Sequence, residues 1–342
     1  MKNKKMFLKT LIATISTIGL ISATSISASA AYSFDVISDT HIGADKSWDT
    51  STKLETTFNA IKYSMKNSSY YKNEQCIVIN GDVVDNSKTE NYDELKRIVK
   101  NCKNDLPFVY FNIGNHEYAS ESSPYTLGPY SYGLNLFNSR INDIQSSLDT
   151  RGIVTNFQRN NSYDSQYINS KNDRLAFLGT DEIPVNPCSS SLSSNQLNWL
   201  TSFIGDNTYE GSKTAKGRKP MFIFSHQPVY DTTYGSNFDS WGYIYPNNSN
   251  VIKSALSGHP EIVMFTGHTH KQFSNNDVWN FDNFYSLGDS SSQIFSVPSI
   301  GEVDSNGPEG YHVTVYTDGI VVTGVKYTNA GCKTINTRTV DF

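Results

Sequence analysis

Short apolar runs rich in β-branched residues alternate with segments of helical periodicity in the first third of the chain. The runs at residues 33–38, 76–79 and 108–113 have the length of buried strands. Two stripes with helical spacing lie between them: Leu54, Phe58, Ile61 and Met65, and then Tyr92, Leu95, Ile98 and Cys102. This order predicts βαβ units and a parallel sheet.

The pattern continues less regularly through the rest of the chain. One more stripe predicts a helix that carries Phe137, Ile141, Ile144 and Leu148. Ser193 and Gln196 have the spacing of a capping box, which predicts that a helix starts there. Hairpins are predicted at residues 162–178, turning near Asn172 and Asp173, and at residues 311–325.

Polar side chains of the kind that bind metals follow five apolar runs, at residues 33–38, 76–79, 108–113, 221–225 and 262–266. They are Asp39 and His41, then Asp82, then Asn115 with His116 and Glu117, then His226, and finally His268 with His270. By itself, a pair such as Gly81-Asp82 is usually a turn. Because ligands gather outside the carboxyl ends of strands in open α/β sheets, we expect the five ends to converge.

The side chains at these ends are imidazoles, carboxylates and one amide, with no thiolate among them. This donor set suits Mn, Fe or Zn in a hydrolytic site better than an iron–sulfur cluster or a structural zinc site. Two metal ions about 3.5–4 Å apart need a ligand that bridges them, and a carboxylate can do so. Asp82 is the natural bridge.

The ordered blocks of these residues resemble the calcineurin-like metallophosphoesterase family, in a secreted bacterial-type member. The blocks are Asp39-x-His41, Gly81-Asp82-x-x-Asp85, Gly114-Asn115-His116-Glu117, His226 and Gly267-His268-x-His270. The resemblance implies one domain over residues 31–342, with an α/β fold of two mixed β-sheets packed face to face and helices outside. It also implies a hydrolase that acts on phosphoric ester bonds with two metal ions.

The resemblance assigns roles residue by residue. Asp39, His41, Asp82 and His270 would hold one ion, and Asp82, Asn115, His226 and His268 the other. A metal-bridging hydroxide would attack phosphorus, and His116 would assist the leaving group.

Other polar residues near the motifs would act indirectly. Asp85 and Glu117 would orient the ligands. His226 has the least specific motif of the ligands, so a structural role is its alternative. For His259 and His312 the structural interpretation is favoured.

Two segments beside the motifs are candidates for covering the site. Residues 119–150 are predicted to form a small cap insertion, and residues 230–247 form a loop rich in Tyr, Phe and Trp. The aromatic side chains of this loop either pack against one another or line a substrate cleft. The candidate substrate contacts are Tyr125, Tyr130, Tyr234 and Trp241.

Few cations lie near the motifs; the evident ones are Lys46, Lys88 and Lys271. A monoester dianion usually attracts additional Arg or Lys, so a small phosphodiester is favoured as substrate. Two alternatives stay open: a phosphomonoesterase, with Lys271 or Arg140 reaching the phosphate, and a non-catalytic ligand-binding protein that retains the fold. His116 favours an enzyme, because metal binding alone would not require it.

Departures from related families narrow the class. Purple acid phosphatases carry a tyrosine where Asp85 stands and lack a histidine where His41 stands, so a purple metal centre is not expected. Ser/Thr protein phosphatases have an arginine where Asn86 follows Asp85.

The first 30 residues have the order of a secretory signal peptide. Four lysines precede or open an apolar stretch at residues 8–21, and Ala28-Ser29-Ala30 has the form of a cleavage site. A membrane anchor is the alternative, but a span needs about 20 apolar residues. We therefore predict cleavage before Ala31, free secretion and no membrane attachment afterwards.

The net charge narrows the class of binding partner. Without the four lysines of the signal segment, 24 basic residues face 33 acidic ones, a formal net charge of −9. Such a surface repels nucleic-acid polymers, so a small phosphate ester is the expected partner.

The four cysteines are Cys76, Cys102, Cys188 and Cys332, and they permit two disulfides or are free thiols. Oligomeric state is not determined by the sequence.

Overall fold

A computed structural model describes residues 30–148, 161–168, 173–207, 219–273, 283–302 and 307–341. Its α-helices are α1 (Thr50–Asn67), α2 (Thr89–Cys102), α3 (Tyr130–Ser146), α4 (Ser194–Asn207) and α5 (Pro246–Leu256). Its first seven strands are β1 (Tyr32–Ile37), β2 (Glu74–Asn80), β3 (Phe108–Asn112), β4 (Ala119–Ser120), β5 (Ser123–Leu127), β6 (Asp164–Tyr167) and β7 (Arg174–Leu178). The others are β8 (Met221–Ser225), β9 (Ile262–Thr266), β10 (Phe284–Ser286), β11 (Gln293–Ser296), β12 (Glu309–Val315), β13 (Gly319–Thr328) and β14 (Gly331–Asp341).

The strands form two large mixed sheets and one small hairpin. Sheet A has the order β14-β13-β12-β1-β2-β3, and sheet B has the order β10-β11-β9-β8-β7-β6. β1, β2 and β3 are parallel neighbours, as are β7, β8, β9 and β11, whereas the outer strands pair antiparallel. The predicted βαβ units are therefore confirmed.

Alternation along the strands separates two apolar faces in sheet B. Phe222 and Phe224 of β8 join the main core between the sheets, where Phe222 meets Phe34 of β1 with ring centroids 4.7 Å apart. Met221 and Ile223 point the other way, into a second core with α4 and α5. The helices α1 and α2 add their apolar stripes to the core on sheet A. This arrangement confirms two mixed sheets packed face to face with helices outside.

The stripes predicted from the sequence coincide with α1, α2 and α3, although Leu148 lies just beyond the end of α3. The hairpins at residues 162–178 and 311–325 are formed by β6 with β7 and by β12 with β13. Asn172, near which the first was predicted to turn, lies outside the described residues. Within residues 119–150, β4 and β5 form a hairpin and α3 packs against β3. α5 begins at Pro246, inside the segment predicted as an aromatic loop.

Of the two hydrogen bonds expected of the predicted capping box, only the one to the Ser193 side chain forms. Ser193 accepts a 3.2 Å hydrogen bond from the backbone N–H of Gln196, as a cap should. The Gln196 side chain, however, pairs with the backbone of Gly179 through both its oxygen and its nitrogen. Asp181 instead accepts from the Ser193 backbone N–H and hydroxyl. Tertiary contact with the end of β7 therefore replaces the local reciprocal bond.

Other sequence features have plain outcomes. The predicted signal segment lies outside the described residues, apart from Ala30. None of the four cysteines forms a disulfide. Within the described part of the chain, the helices are too short or too polar to span a lipid bilayer.

Candidate metal centre

The five predicted strand ends meet at one edge of the sandwich. β1, β2 and β3 supply Asp39 with His41, Asp82 and Asn115 from sheet A, and β8 and β9 supply His226 and His268 with His270 from sheet B. Donor atoms of Asp39, His41 and His270 lie within 4.8 Å of one another, as do those of Asp82, His226 and His268. The predicted convergence is therefore observed.

In the group formed by Asp39, His41 and His270, the two imidazole rings lie close together. His41 Nε2 and His270 Nε2 lie 3.1 Å apart, and His270 Nε2 lies 3.1 Å from Asp39 Oδ1. His41 Nε2 is 3.8 Å from Asp82 Oδ2, which extends the contact toward the second group. Two imidazole nitrogens beside one carboxylate oxygen are the arrangement expected of ligands directed at a common cation.

The second group is centred on Asp82 and His226. His226 Nε2 lies 2.9 Å from Asp82 Oδ2 but lacks hydrogen-bond geometry to any described residue. His226 Nδ1 contacts the carbonyl of Asn80 at 2.9 Å, so Nδ1 carries the proton and Nε2 is left as the donor atom for a metal ion. Asp82 Oδ2 thus faces both groups, as a bridging carboxylate would.

His268 and Asn115 complete the set. The Nε2 atom of His268 contacts the Trp241 carbonyl, which leaves Nδ1 free for a cation, and its backbone N–H donates to Asp39. Asn115 Oδ1 accepts a 3.1 Å hydrogen bond from Gln227, the residue after His226. Asn115 is therefore oriented by a neighbour from sheet B, whereas the His268 side chain is oriented by Trp241 in the segment that follows β8.

The backbone at the strand ends is strained. Five of the seven predicted metal ligands have left-handed φ angles: Asp39 (55°), His41 (44°), Asp82 (45°), His268 (73°) and His270 (53°). This conformation costs of order 1 kcal/mol for a residue other than glycine and persists where surrounding contacts enforce it. Its concentration in the ligand set marks these turns as functional.

Glycines let the two sheets approach at the centre. A Cβ on Gly114 would lie 2.2 Å from Asp82 Oδ1, and one on Gly81 would lie 2.5 Å from the His226 Cβ. The glycines that precede Asp82 and Asn115 are therefore required by close packing as well as by the turns.

His116, the predicted catalytic residue, borders both groups: its donor atom lies within 4.8 Å of donor atoms of His41 and Asp82. Its Nδ1 lies 2.7 Å from the carbonyl of Asp85 and donates to it, which directs Nε2 toward Asp82 Oδ2, 3.9 Å away. Asp85 Oδ1 is 3.8 Å from the Nδ1 atoms of both His41 and His116. Asp85 can therefore orient both rings.

The Glu117 carboxylate orients the turn that carries Asp82 by accepting hydrogen bonds from its backbone N–H groups. It accepts hydrogen bonds from the backbone N–H groups of Asp82, Val83, Val84 and Gly114 at 2.6–3.1 Å. The side chain therefore fixes the backbone that carries Asp82 instead of contacting the cluster.

The sequence matches a family model. The calcineurin-like phosphoesterase model covers residues 32–272, which includes all the predicted ligands. The chain belongs to this family. Comparison with curated proteins finds no match.

Solved structures share the fold at low identity. A dimetal phosphatase from Danio rerio superposes with a TM-score of 0.57 and 15% identity, over 90% of this chain and 99% of that one. A purple acid phosphatase from yellow lupin seeds gives 0.55 and 10%, over 91% of this chain and 53% of that one. PhoD gives 0.51 and 11%, over 92% and 73% of the two chains.

Burial and neighbouring charges shift the pKa values of several groups in this centre. Burial by itself lowers the pKa of His226, but Asp82 and Asp39 outweigh it and raise that pKa to about 10. Burial likewise opposes ionisation of Asp82, yet His226 and His116 hold its pKa well below the ordinary value. Burial and the charge of His226 lower the pKa of His268 to about 4. The carboxylates are thus poised as anions for a cation.

Three positioning residues were missed by the sequence reasoning. Asn80 and Asn112 are the last residues of β2 and β3, and their amides reach the backbone of sheet B. Glu302 Oε2 lies 3.4 Å from His270 Nδ1. The asparagines had a visible signal, since each ends an apolar run just before a glycine motif, whereas Glu302 had none.

The aromatic candidates separate into two sets. Tyr234, Phe238 and Trp241 form one cluster, with centroids 5.3–5.9 Å apart, and Trp241 reaches the centre through its contact with His268. Tyr125 is 81% exposed on β5. Tyr130 stacks on Tyr118 and donates to the carbonyl of Thr180. The structure therefore joins this cluster to the centre through the Trp241 backbone, with Tyr234 packed on Trp241, and gives Tyr130 packing contacts.

Proposed function

We propose that this protein is a dinuclear metal-dependent hydrolase of a small phosphodiester. The observation that carries the proposal is the convergence of seven N and O donors at five strand ends around Asp82 Oδ2. The family assignment supports phosphoester hydrolysis in general. The choice of ester is inferred from the charges and aromatic rings around the centre.

The residues present fit two divalent ions of the Mn, Fe or Zn type. Asp39, His41, Asp82 and His270 would hold one, and Asp82, Asn115, His226 and His268 the other. When bound, the ions would supply the positive charge that activates water and neutralises the phosphoryl oxygens. The Asp85 carbonyl holds the proton of His116 on Nδ1, so that Nε2 is the atom available to donate to a leaving oxygen when the ring is protonated.

Charge around the centre favours a diester. Within the described residues, the basic partners of Asp39, Asp82 and Asp85 are all histidines. Arg140 pairs with Asp93 at 3.2 Å, and Lys271 Nζ lies 4.4 Å from the Tyr234 ring centroid. A diester brings one negative charge to the reacting phosphorus, which two ions and His116 can meet without an arginine clamp.

The Tyr234, Phe238 and Trp241 cluster supports a substrate with a flat organic group. Phe238 and Trp241 are 44% and 37% exposed, and the backbone carbonyl of Trp241 contacts His268. Stacking of a base on such rings contributes about 1–3 kcal/mol. The cluster therefore offers recognition of the ester's organic part by stacking.

The test compares bis-(p-nitrophenyl) phosphate with p-nitrophenyl phosphate at equal Mn²⁺ loading. We expect kcat/KM to be higher for the diester, and Trp241→Ala to raise KM for it. Tyr125→Ala, on the exposed hairpin, is the matched control and should leave KM unchanged. A tenfold preference for the monoester would replace the diester proposal, and no hydrolysis of either ester would favour a ligand-binding protein that retains the fold.

We also propose that the protein is secreted after cleavage before Ala31. The order of basic, apolar and small residues in the first 30 positions supports this. Intact mass of the protein recovered from culture medium should give an N-terminus at Ala31. Recovery of a chain that begins at Met1 would contradict cleavage.

A further inference from the structure

A second buried cluster of titratable side chains lies on the other face of sheet A. Asp35 of β1 is paired in register with His312 of β12, and Ser33 of β1 with Glu74 of β2. Asp35 lies between Phe34 and Val36, and Phe34 faces sheet B. Because successive side chains of a strand point to opposite faces, Asp35 faces away from sheet B.

Three donor atoms of this cluster converge. His312 Nδ1 lies 3.3 Å from Asp35 Oδ2 and 3.7 Å from Glu74 Oε2, and the three atoms fit within 4.8 Å. The side chains of Asp35 and Glu74 are 0% exposed and that of His312 is 4% exposed. Tetrahedral ligands with bonds of 2.0–2.1 Å lie about 3.4 Å from one another. The observed separations have this scale.

The cluster carries more negative charge than its protein partners balance. Within the described residues, His312 is the only basic side chain that pairs with Asp35 or Glu74. Ser33 donates to Glu74 Oε2 at 2.6 Å and Tyr327 donates to Asp35 Oδ1 at 3.0 Å, but Glu74 Oε1 has no hydrogen-bond partner among those residues. Two buried carboxylates beside one imidazole therefore call for a further cation or proton.

We propose that Asp35, Glu74 and His312 form a zinc site separate from the dinuclear centre. Two carboxylate oxygens and one imidazole nitrogen are three ligands that Zn²⁺ accepts, with water in the fourth position. Ca²⁺ and Mg²⁺ require six or more ligands, mostly oxygen, which this closed cluster does not supply. Ser33 and Tyr327 hold the carboxylates in place by their hydrogen bonds, as outer partners of metal ligands do.

An entry route reaches the cluster from the surface. A cavity of about 350 Å³ is lined by His312, Tyr71 and Cys332, among other residues. The Tyr71 ring stacks on the imidazole with centroids 3.8 Å apart and closes the site from that side. Tyr70, which is 70% exposed, also lines the cavity, so an ion can approach His312 from solvent once the Tyr71 ring moves.

The experiment counts zinc in a background whose dinuclear centre lacks the shared Asp82 carboxylate and the His226 imidazole. The full mature chain carrying Asp82→Asn and His226→Gln is loaded with ZnCl₂, dialysed and analysed by elemental analysis, with circular dichroism to verify folding. We expect one zinc per chain to remain. Adding His312→Gln should remove it, whereas adding His259→Gln, which alters a histidine–carboxylate pair outside this cluster, should leave it. Zinc that remains after His312→Gln would lie at Asp39, His41 and His270 and would overturn the proposal.

X-ray absorption of the zinc in the double variant provides a readout that does not depend on mutating the cluster. We expect a low-coordinate shell with one imidazole and oxygen ligands. A folded double variant that retains no zinc would overturn the proposal and identify the cluster as a carboxyl pair that shares a proton. Because zinc is counted without measuring turnover, absence of esterase activity would leave this result interpretable.

Discussion

Asn112 donates a 3.1 Å hydrogen bond from its side-chain amide to Oδ1 of Asn80, its neighbour in register on the adjacent strand of sheet A. Both side chains are fully buried. The Asn80 amide continues to the carbonyls of Ser225 and Phe265, at the ends of β8 and β9. This chain of amides ties the strand ends of the two sheets together next to the predicted metal ligands.

Replacing Asn112 with leucine should weaken both the fold and the metal centre. The variant leaves the carbonyls of Leu178 and Phe224 without this donor, which we expect to cost roughly 2–4 kcal/mol of the free energy of unfolding. Urea unfolding and metal analysis measure the two effects. Asn248→Leu is the control, since Asn248 bonds the backbone of Leu192 away from the centre and should lower stability without lowering metal content.

Asp82→Asn should reduce the content of both metal ions, whereas Asp39→Asn should reduce mainly one. Asp82 Oδ2 lies 2.9 Å from His226 and 3.8 Å from His41, and the family resemblance assigns Asp82 to both ions. Asp39 Oδ1 lies 3.1 Å from His270 and 3.7 Å from His226, and the resemblance assigns Asp39 to one ion. Elemental analysis of the purified variants gives the counts. Equal metal content in Asp82→Asn and the wild type would refute the bridging role.

His116→Gln should keep the metal content and the fold but lower kcat by about 10²–10⁴-fold, because the ring acts on the substrate. Steady-state kinetics and metal analysis of the same preparation separate the two effects. His259→Gln is the matched histidine control and should retain full turnover. Loss of metal together with activity would place His116 among the ligands.

The free energy of unfolding should decrease as pH rises, because the buried carboxyl group of Glu309 has a raised pKa. This side chain is 3% exposed and accepts a 2.8 Å hydrogen bond from the Phe273 N–H, and burial raises its pKa from 4.5 to about 7. The folded state therefore retains a proton that the unfolded state has released, and its contribution to stability is lost between about pH 4.5 and 7.

Urea unfolding at pH 5 and pH 8 tests this contribution. Glu309→Gln should show a smaller decrease in the free energy of unfolding between the two pH values than the wild type shows. Glu90→Gln, at an exposed position of α2, should behave as the wild type does. An identical decrease in all three proteins would exclude Glu309 as the source.

The helices and strand ends that show a clear hydrophobic pattern in the sequence were predicted correctly. The stripes of α1 and α2 follow from spacing alone, because burial of one helical face requires it. The strand ends with Asp39, Asp82 and His268 were visible because each apolar run stops at a polar residue. The Gln196 cap failed because a tertiary partner, the Gly179 backbone, satisfied that side chain instead.

The sequence by itself determined the five strands that end at the centre, the helices flanking sheet A and the kinds of donor atom at the strand ends, since these depend on local pattern and side-chain chemistry. Only the tertiary structure decided which donors meet. Three contacts join residues that are far apart in the chain. His226 lies 2.9 Å from Asp82, Glu302 contacts His270, and His312 contacts Asp35 and Glu74. Sheet packing sets these distances, and no local pattern in the sequence encodes them.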